Sequence, residues 1–110
     1  MDALQLMRDI INTYERHGWK VRRVLLRPET LESISTRDQI YGELRESAFD
    51  ALWFSRPSHA KREAWELRLI SEQPYALFEA FEADESEEDR EAARLEMENR
   101  MREHAMPIGT

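Results

Sequence analysis

Leu4, Met7, Ile10, Ile11 and Tyr14 recur at spacings of three and four, which gathers them into one apolar stripe on a helix of about four turns. Asp2 with Gln5 makes a capping box at its start. Arg16 and His17 fall in the last turn, opposite the negative end of the helix dipole, and Gly18 suits the left-handed residue that closes it. The pattern changes at Trp19. The run from Trp19 to Arg27 (WKVRRVLLR) is rich in β-branched residues and ends at Pro28, so it predicts a strand that stops where the ring removes an N–H donor. PETLESIS then pairs Leu31 with Ile34 behind a proline at a helix start, predicting a short helix of about two turns.

Residues 36–47 satisfy two patterns. Thr36 with Gln39 resembles a capping box, whereas Ile40, Gly42 and Leu44 fit one face of a strand. The strand is preferred, because a glycine in mid-segment weakens a helix. Three further strands are predicted at Phe49 to Arg56, Ala64 to Ile70 and Tyr75 to Glu82, the last two joined by a hairpin at Ser71 to Pro74. Trp65, Leu67 and Leu69 alternate with Glu66 and Arg68, the period of a half-buried strand. FDALWFSR and YALFEAFE are instead apolar on both faces, which means two covered faces or an apolar patch left open.

The closing segment begins with Ser86 and Asp89 in capping-box spacing and runs to about His104 before Pro107, predicting a charged C-terminal helix. Glu96 with Arg100 and Glu98 with Arg102 stand four apart in the favourable orientation. Its apolar stripe is narrow, Ala93, Met97 and Met101, with Ala92 and Leu95 to one side. A helix with so little to bury is expected to be held loosely or to dock on another molecule. The element order predicts an α+β fold, an antiparallel sheet of about four to five strands with an N-terminal helix, a short helix and a charged C-terminal helix. The helices are expected on one face and the other face partly open, with residues 1–83 as the core and residues 84–106 as the acidic helix of the same domain.

Composition sharpens this picture in two places. The formal charge of −7 is concentrated at the C-terminus, where residues 84–106 hold nine acids and four bases, against fourteen and twelve in residues 1–83. Such a balance disfavours nucleic acid as a partner, since binding there is driven by neutralising phosphates. The absence of cysteine removes disulfides, thiolate nucleophiles and thiolate metal sites, and fits a reducing compartment. The N-terminus lacks an uninterrupted apolar run and no later stretch reaches the length of a membrane span, so the chain is expected to be cytoplasmic with no membrane partner.

Candidate chemistry is sparse. His17, His59 and His104 show no metal-ligand spacing, and three glycines cannot build a phosphate-binding loop, so neither metal nor cofactor is expected. Asp50 and Glu79 are the carboxylates to inspect as a general acid, each lying in an otherwise apolar strand. Two basic clusters stand out: Arg16, Lys20, Arg22, Arg23 and Arg27 beside Trp19, and the loop SRPSHAKRE. In the loop, Arg56, His59, Lys61 and Arg62 are candidate anion ligands. The aromatic and methionine residues Trp53, Phe78, Phe81, Met97 and Met101 are candidate partner-binding residues. The leading expectation is a non-enzymatic protein-interaction domain, chaperone-like or adaptor, meeting a protein partner or a second copy as a homodimer. An anion or small-molecule binding protein using the 55–63 loop is the alternative, and a nucleic-acid binder built on Trp19 and Arg22 the third.

Overall fold

The structure is a computed structural model and describes residues 2–34 and 42–105. Helix α1 (Ala3–Arg16) is capped by Asp2, whose carboxylate accepts from the Gln5 N–H at 2.8 Å, and it ends where Gly18 takes φ +85°. Strand β1 (Lys20–Leu26) leads into the short helix α2 (Pro28–Glu32), with Pro28 in its first turn. Then come β2 (Glu43–Glu46), β3 (Ala51–Pro57), a single 3-10 turn at His59–Lys61, β4 (Glu63–Leu69), β5 (Ala76–Phe81) and helix α3 (Glu87–Ala105). The α+β class and the three predicted helices stand. The strand preferred for residues 36–47 is present as Glu43–Glu46, and the capping box proposed at Thr36 and Gln39 lies outside the described residues.

The five strands form one sheet in the order β2-β1-β3-β4-β5. All neighbours are antiparallel except β2, which runs parallel to β1 with Val24 opposite Leu44. Parallel pairing needs a crossover between the strands, and α2 lies on that path. A β-bulge between Val21 and Arg23 lets two successive arginines, Arg22 and Arg23, share one step of β3. Gly42 (φ +75°) backs onto it so closely that an added Cβ would lie 2.6 Å from the Arg22 carbonyl oxygen.

The expectation of helices on one face is corrected. Met7, Ile10 and Ile11 of α1 pack with Val21, Val24, Leu26, Leu52 and Phe54 on one side of the sheet. Met97 and Met101 of α3 pack with Leu25, Trp53, Trp65, Leu67 and Phe81 on the other. Residues alternate sides along a strand, so the runs Val24–Leu26 of β1 and Ala51–Phe54 of β3 are apolar without a break because both their faces are covered. Helix α3 is also not loosely held, since Met97 and Met101 are fully buried and the Trp53 indole N–H donates to Glu98 at 2.9 Å. Its apolar stripe is thin in the sequence because one of its members is Arg94, which is 1% exposed. The hydrocarbon stem of Arg94 belongs to the buried row and only its ends reach carboxylates.

Candidate interaction surface

Among the described residues, strand β5 lies at one end of the sheet and pairs only with β4, so one side of its backbone has no described strand beside it. The Leu69 N–H donates to the Tyr75 carbonyl at 3.0 Å, and the register continues through Arg68 opposite Ala76 and Leu67 opposite Leu77. In an antiparallel pair, residues alternately turn both backbone groups toward the partner and away from it. Residues 75, 77, 79 and 81 therefore bond to β4, whereas Ala76, Phe78 and Ala80 turn their N–H and C=O outward.

The row of free outward donors stops at both ends. Pro74 has no N–H to offer. At Glu82 the N–H donates to the Glu85 carboxylate at 2.9 Å and the carbonyl accepts from the Arg90 guanidinium at 2.7 Å. Between these stops, among the described residues, no group bonds to the outward side of Ala76, Phe78 or Ala80. The side chains of the same three residues share the sheet face on which α1 lies. Helix α1 reaches across that face as far as β4, where the Tyr14 hydroxyl donates to Glu66. Burial first, then the hydrogen bond to Glu66, holds this phenol well above its ordinary pKa. Beyond Glu66 the face is bare: Phe78, directly opposite Glu66 in the register, is 56% exposed, and Ala76 and Ala80 are exposed on either side of it.

The opposite edge of the sheet is of another kind. Strand β2 has four residues, Glu43, Leu44, Arg45 and Glu46, all exposed. Arg45 pairs with Glu43 at 2.6 Å and lies 3.8 Å from Glu91. A short, charged edge resists pairing with another chain, whereas an open apolar one invites it.

The other candidate residues are placed as follows. Trp53, Phe81, Met97 and Met101 are buried together beneath α3, so of the five partner-binding candidates only Phe78 is exposed. The four anion candidates do not converge. Arg56 donates to the His17 carbonyl at 3.0 Å and lies over the Trp19 ring at 4.6 Å, whereas Arg62 pairs with Glu82 at 2.7 Å beside the end of β5. His59 and Lys61 are exposed on the tight turn between them, where Ala60 and Lys61 take positive φ. Of the two carboxylates singled out, Glu79 is exposed. Asp50 is buried and structural, accepting from the Arg27 N–H at 2.7 Å, the Thr30 hydroxyl at 2.8 Å and the Arg27 guanidinium at 3.4 Å. It borders a cavity of about 520 Å³ with Arg27, Phe49, Leu69, Ile70 and Ala105. The charged groups of Arg27 and Asp50 are already turned on each other there.

In the N-terminal basic cluster Arg23, like Arg27, meets acids. Arg23 lies 2.9 Å from Glu91 and 3.7 Å from Glu43, and Arg94 lies 2.9 Å from Glu91 and in contact with Glu87. The guanidinium carbons of Arg22, Arg23 and Arg94 stand 5.6, 5.9 and 4.4 Å from the Trp65 ring centroid. Burial pushes the Glu91 carboxyl upward, but hydrogen bonds from Arg23 and Arg94 outweigh it and hold Glu91 below the ordinary glutamate range. This network fastens the start of α3 to the bulge on β1.

Phe78 stands out in the sequence as an aromatic residue on a strand, whereas the row of outward backbone groups around it does not. The signals are the proline at 74 and the Glu82, Glu85, Arg90 set, which gain meaning only once the register of β4 and β5 is known. Comparison with protein-family models, with curated proteins and with solved structures finds no match. No helix among the described residues is long and apolar enough to cross a membrane.

Proposed function

We propose that this chain is a non-enzymatic protein-interaction domain, an adaptor or chaperone-like module, that takes an extended segment of a protein partner as an added strand beside β5. The observation that supports it most directly is the window of outward backbone groups at Ala76, Phe78 and Ala80, with no free donor following it at Pro74 or Glu82. Strand addition supplies affinity through main-chain hydrogen bonds and selectivity through alternate side chains. Here the side chain opposite Phe78 would rest on its exposed ring, and the small residues Ala76 and Ala80 leave room for bulkier partners on either side. The net charge of −7 disfavours an acidic segment.

Selection of displayed random peptides against the intact chain tests this reading. The expected result is enrichment of short segments with alternating apolar residues and few acids, with binding lost in Phe78→Asp. Peptides that bind equally well to Phe78→Asp, or no enrichment at all, would count against it.

A further inference from the structure

The open window on β5 has a symmetry that points to a particular occupant. Its outward residues are Ala76, Phe78 and Ala80, so Phe78 is its centre and the two flanking residues are the same. We propose that the strand added to β5 is the β5 of a second copy, paired antiparallel about a two-fold axis at Phe78. This rests on the strand-addition reading above and names the partner.

A two-fold axis at the centre of an antiparallel pair requires the central residue to face itself, and each other residue to face its mirror position. Phe78 then exchanges N–H and C=O with its twin, and Ala76 does the same with Ala80 of the other copy in both directions. Every outward donor and acceptor of Ala76, Phe78 and Ala80 finds a partner, and no free donor falls beyond them, because Pro74 has no N–H and the Glu82 N–H is held by Glu85. A heterologous strand could use the same groups, but nothing requires its own row to stop at the same two places.

The side chains agree. On the α1 side of the sheet the two Phe78 rings lie next to each other, about 5.5 Å apart at Cα, converting the exposed apolar face on each copy into an aromatic pair. On the α3 side Glu79 faces Leu77 of the other copy, so the strand's one charged residue is not set against itself. Two chains that each carry −7 can approach here without apposing like charges within the paired strands. The sheet would grow from five strands to ten, within the range that open sheets reach.

The test uses the full chain and two variants at an exposed position, Phe78→Lys and Phe78→Glu. Sedimentation velocity of the native chain over a wide concentration range is expected to pass from the monomer mass of 13.1 kDa to its double. Each variant alone is expected to stay monomeric, since the two-fold register brings two like charges together. An equimolar mixture of the variants is expected to dimerise again, because the new lysine of one copy would then face the new glutamate of the other. A native chain that stays monomeric overturns the self-pairing while leaving the strand-addition reading to the peptide selection. A native dimer that neither variant disrupts overturns it too, since the contact then lies elsewhere. So do variants that stay monomeric on mixing, since residue 78 then does not face itself.

Discussion

Arg94 and Trp65 are stacked beneath helix α3, with the guanidinium carbon 4.4 Å from the ring centroid and Arg94 only 1% exposed. The arginine is part of the core as a hydrocarbon and part of the rim as a cation, because Glu91 and Glu87 meet its nitrogens where the helix emerges to solvent. Replacing it should therefore depend on volume more than on charge.

Arg94→Ala is expected to cost about 3 kcal/mol, combining a cavity over Trp65 with the loss of two carboxylate contacts. Arg94→Met fills the same space and is expected to cost under about 1.5 kcal/mol, since Glu87 is already exposed and Glu91 keeps Arg23. Urea denaturation monitored by tryptophan fluorescence separates the two. Equal losses in both variants would show that the charge, not the stem, holds α3 down.

The same network sets a pH dependence. Glu91 has a lowered pKa in the folded protein because Arg23 and Arg94 favour its charged form. Its contribution is fully present above the ordinary glutamate value of about 4.3 and disappears as the pH falls through the lowered one. Stability should decline on acidification in this window, and Glu91→Gln should flatten the decline while lowering stability at neutral pH. Parallel curves for native chain and variant would contradict the assignment.

Gly42→Ala probes the junction between β2 and the bulge. The position needs φ +75° and its added Cβ would press on the Arg22 carbonyl, so a loss of about 2 kcal/mol is expected. Hydrogen exchange should place the loosening in Glu43–Glu46 and leave β4 and β5 as they were. A loss spread evenly over the sheet would show that β2 is not separately anchored there.

How much of this is legible in the sequence follows from which residues announce their surroundings. Helix α1 declares itself through five apolar residues, a capping aspartate and a terminal glycine, and it forms with those features. Strand β4 is likewise readable from Trp65, Leu67 and their charged neighbours. Strand β2 is suggested only by Leu44 and the glycine before it, and its bounds and parallel pairing are not readable, because four exposed residues carry no burial pattern and the pairing depends on the path of the chain rather than on their identity. The docking of helix α3 is hidden because arginine reads as polar, so Arg94 is missing from the stripe that holds the helix down. The runs FDALWFSR and YALFEAFE look alike on paper and differ in fate. The first is a central strand buried on both faces, and the second is an edge with one face bare. Position in the sheet separates them, and no local pattern encodes that.

The measurement closest to the central claim is amide hydrogen exchange along β5, residue by residue, by NMR. In dilute solution the amides of Leu77, Glu79 and Phe81 should be protected by β4, while those of Ala76, Phe78 and Ala80 exchange rapidly. When a strand is added, by a selected peptide or by raising the concentration of the chain itself, the second set should become protected and the first should change little. If Ala76, Phe78 and Ala80 are already protected in the monomer, or stay unprotected with a partner bound, the edge of β5 is not where this protein meets others.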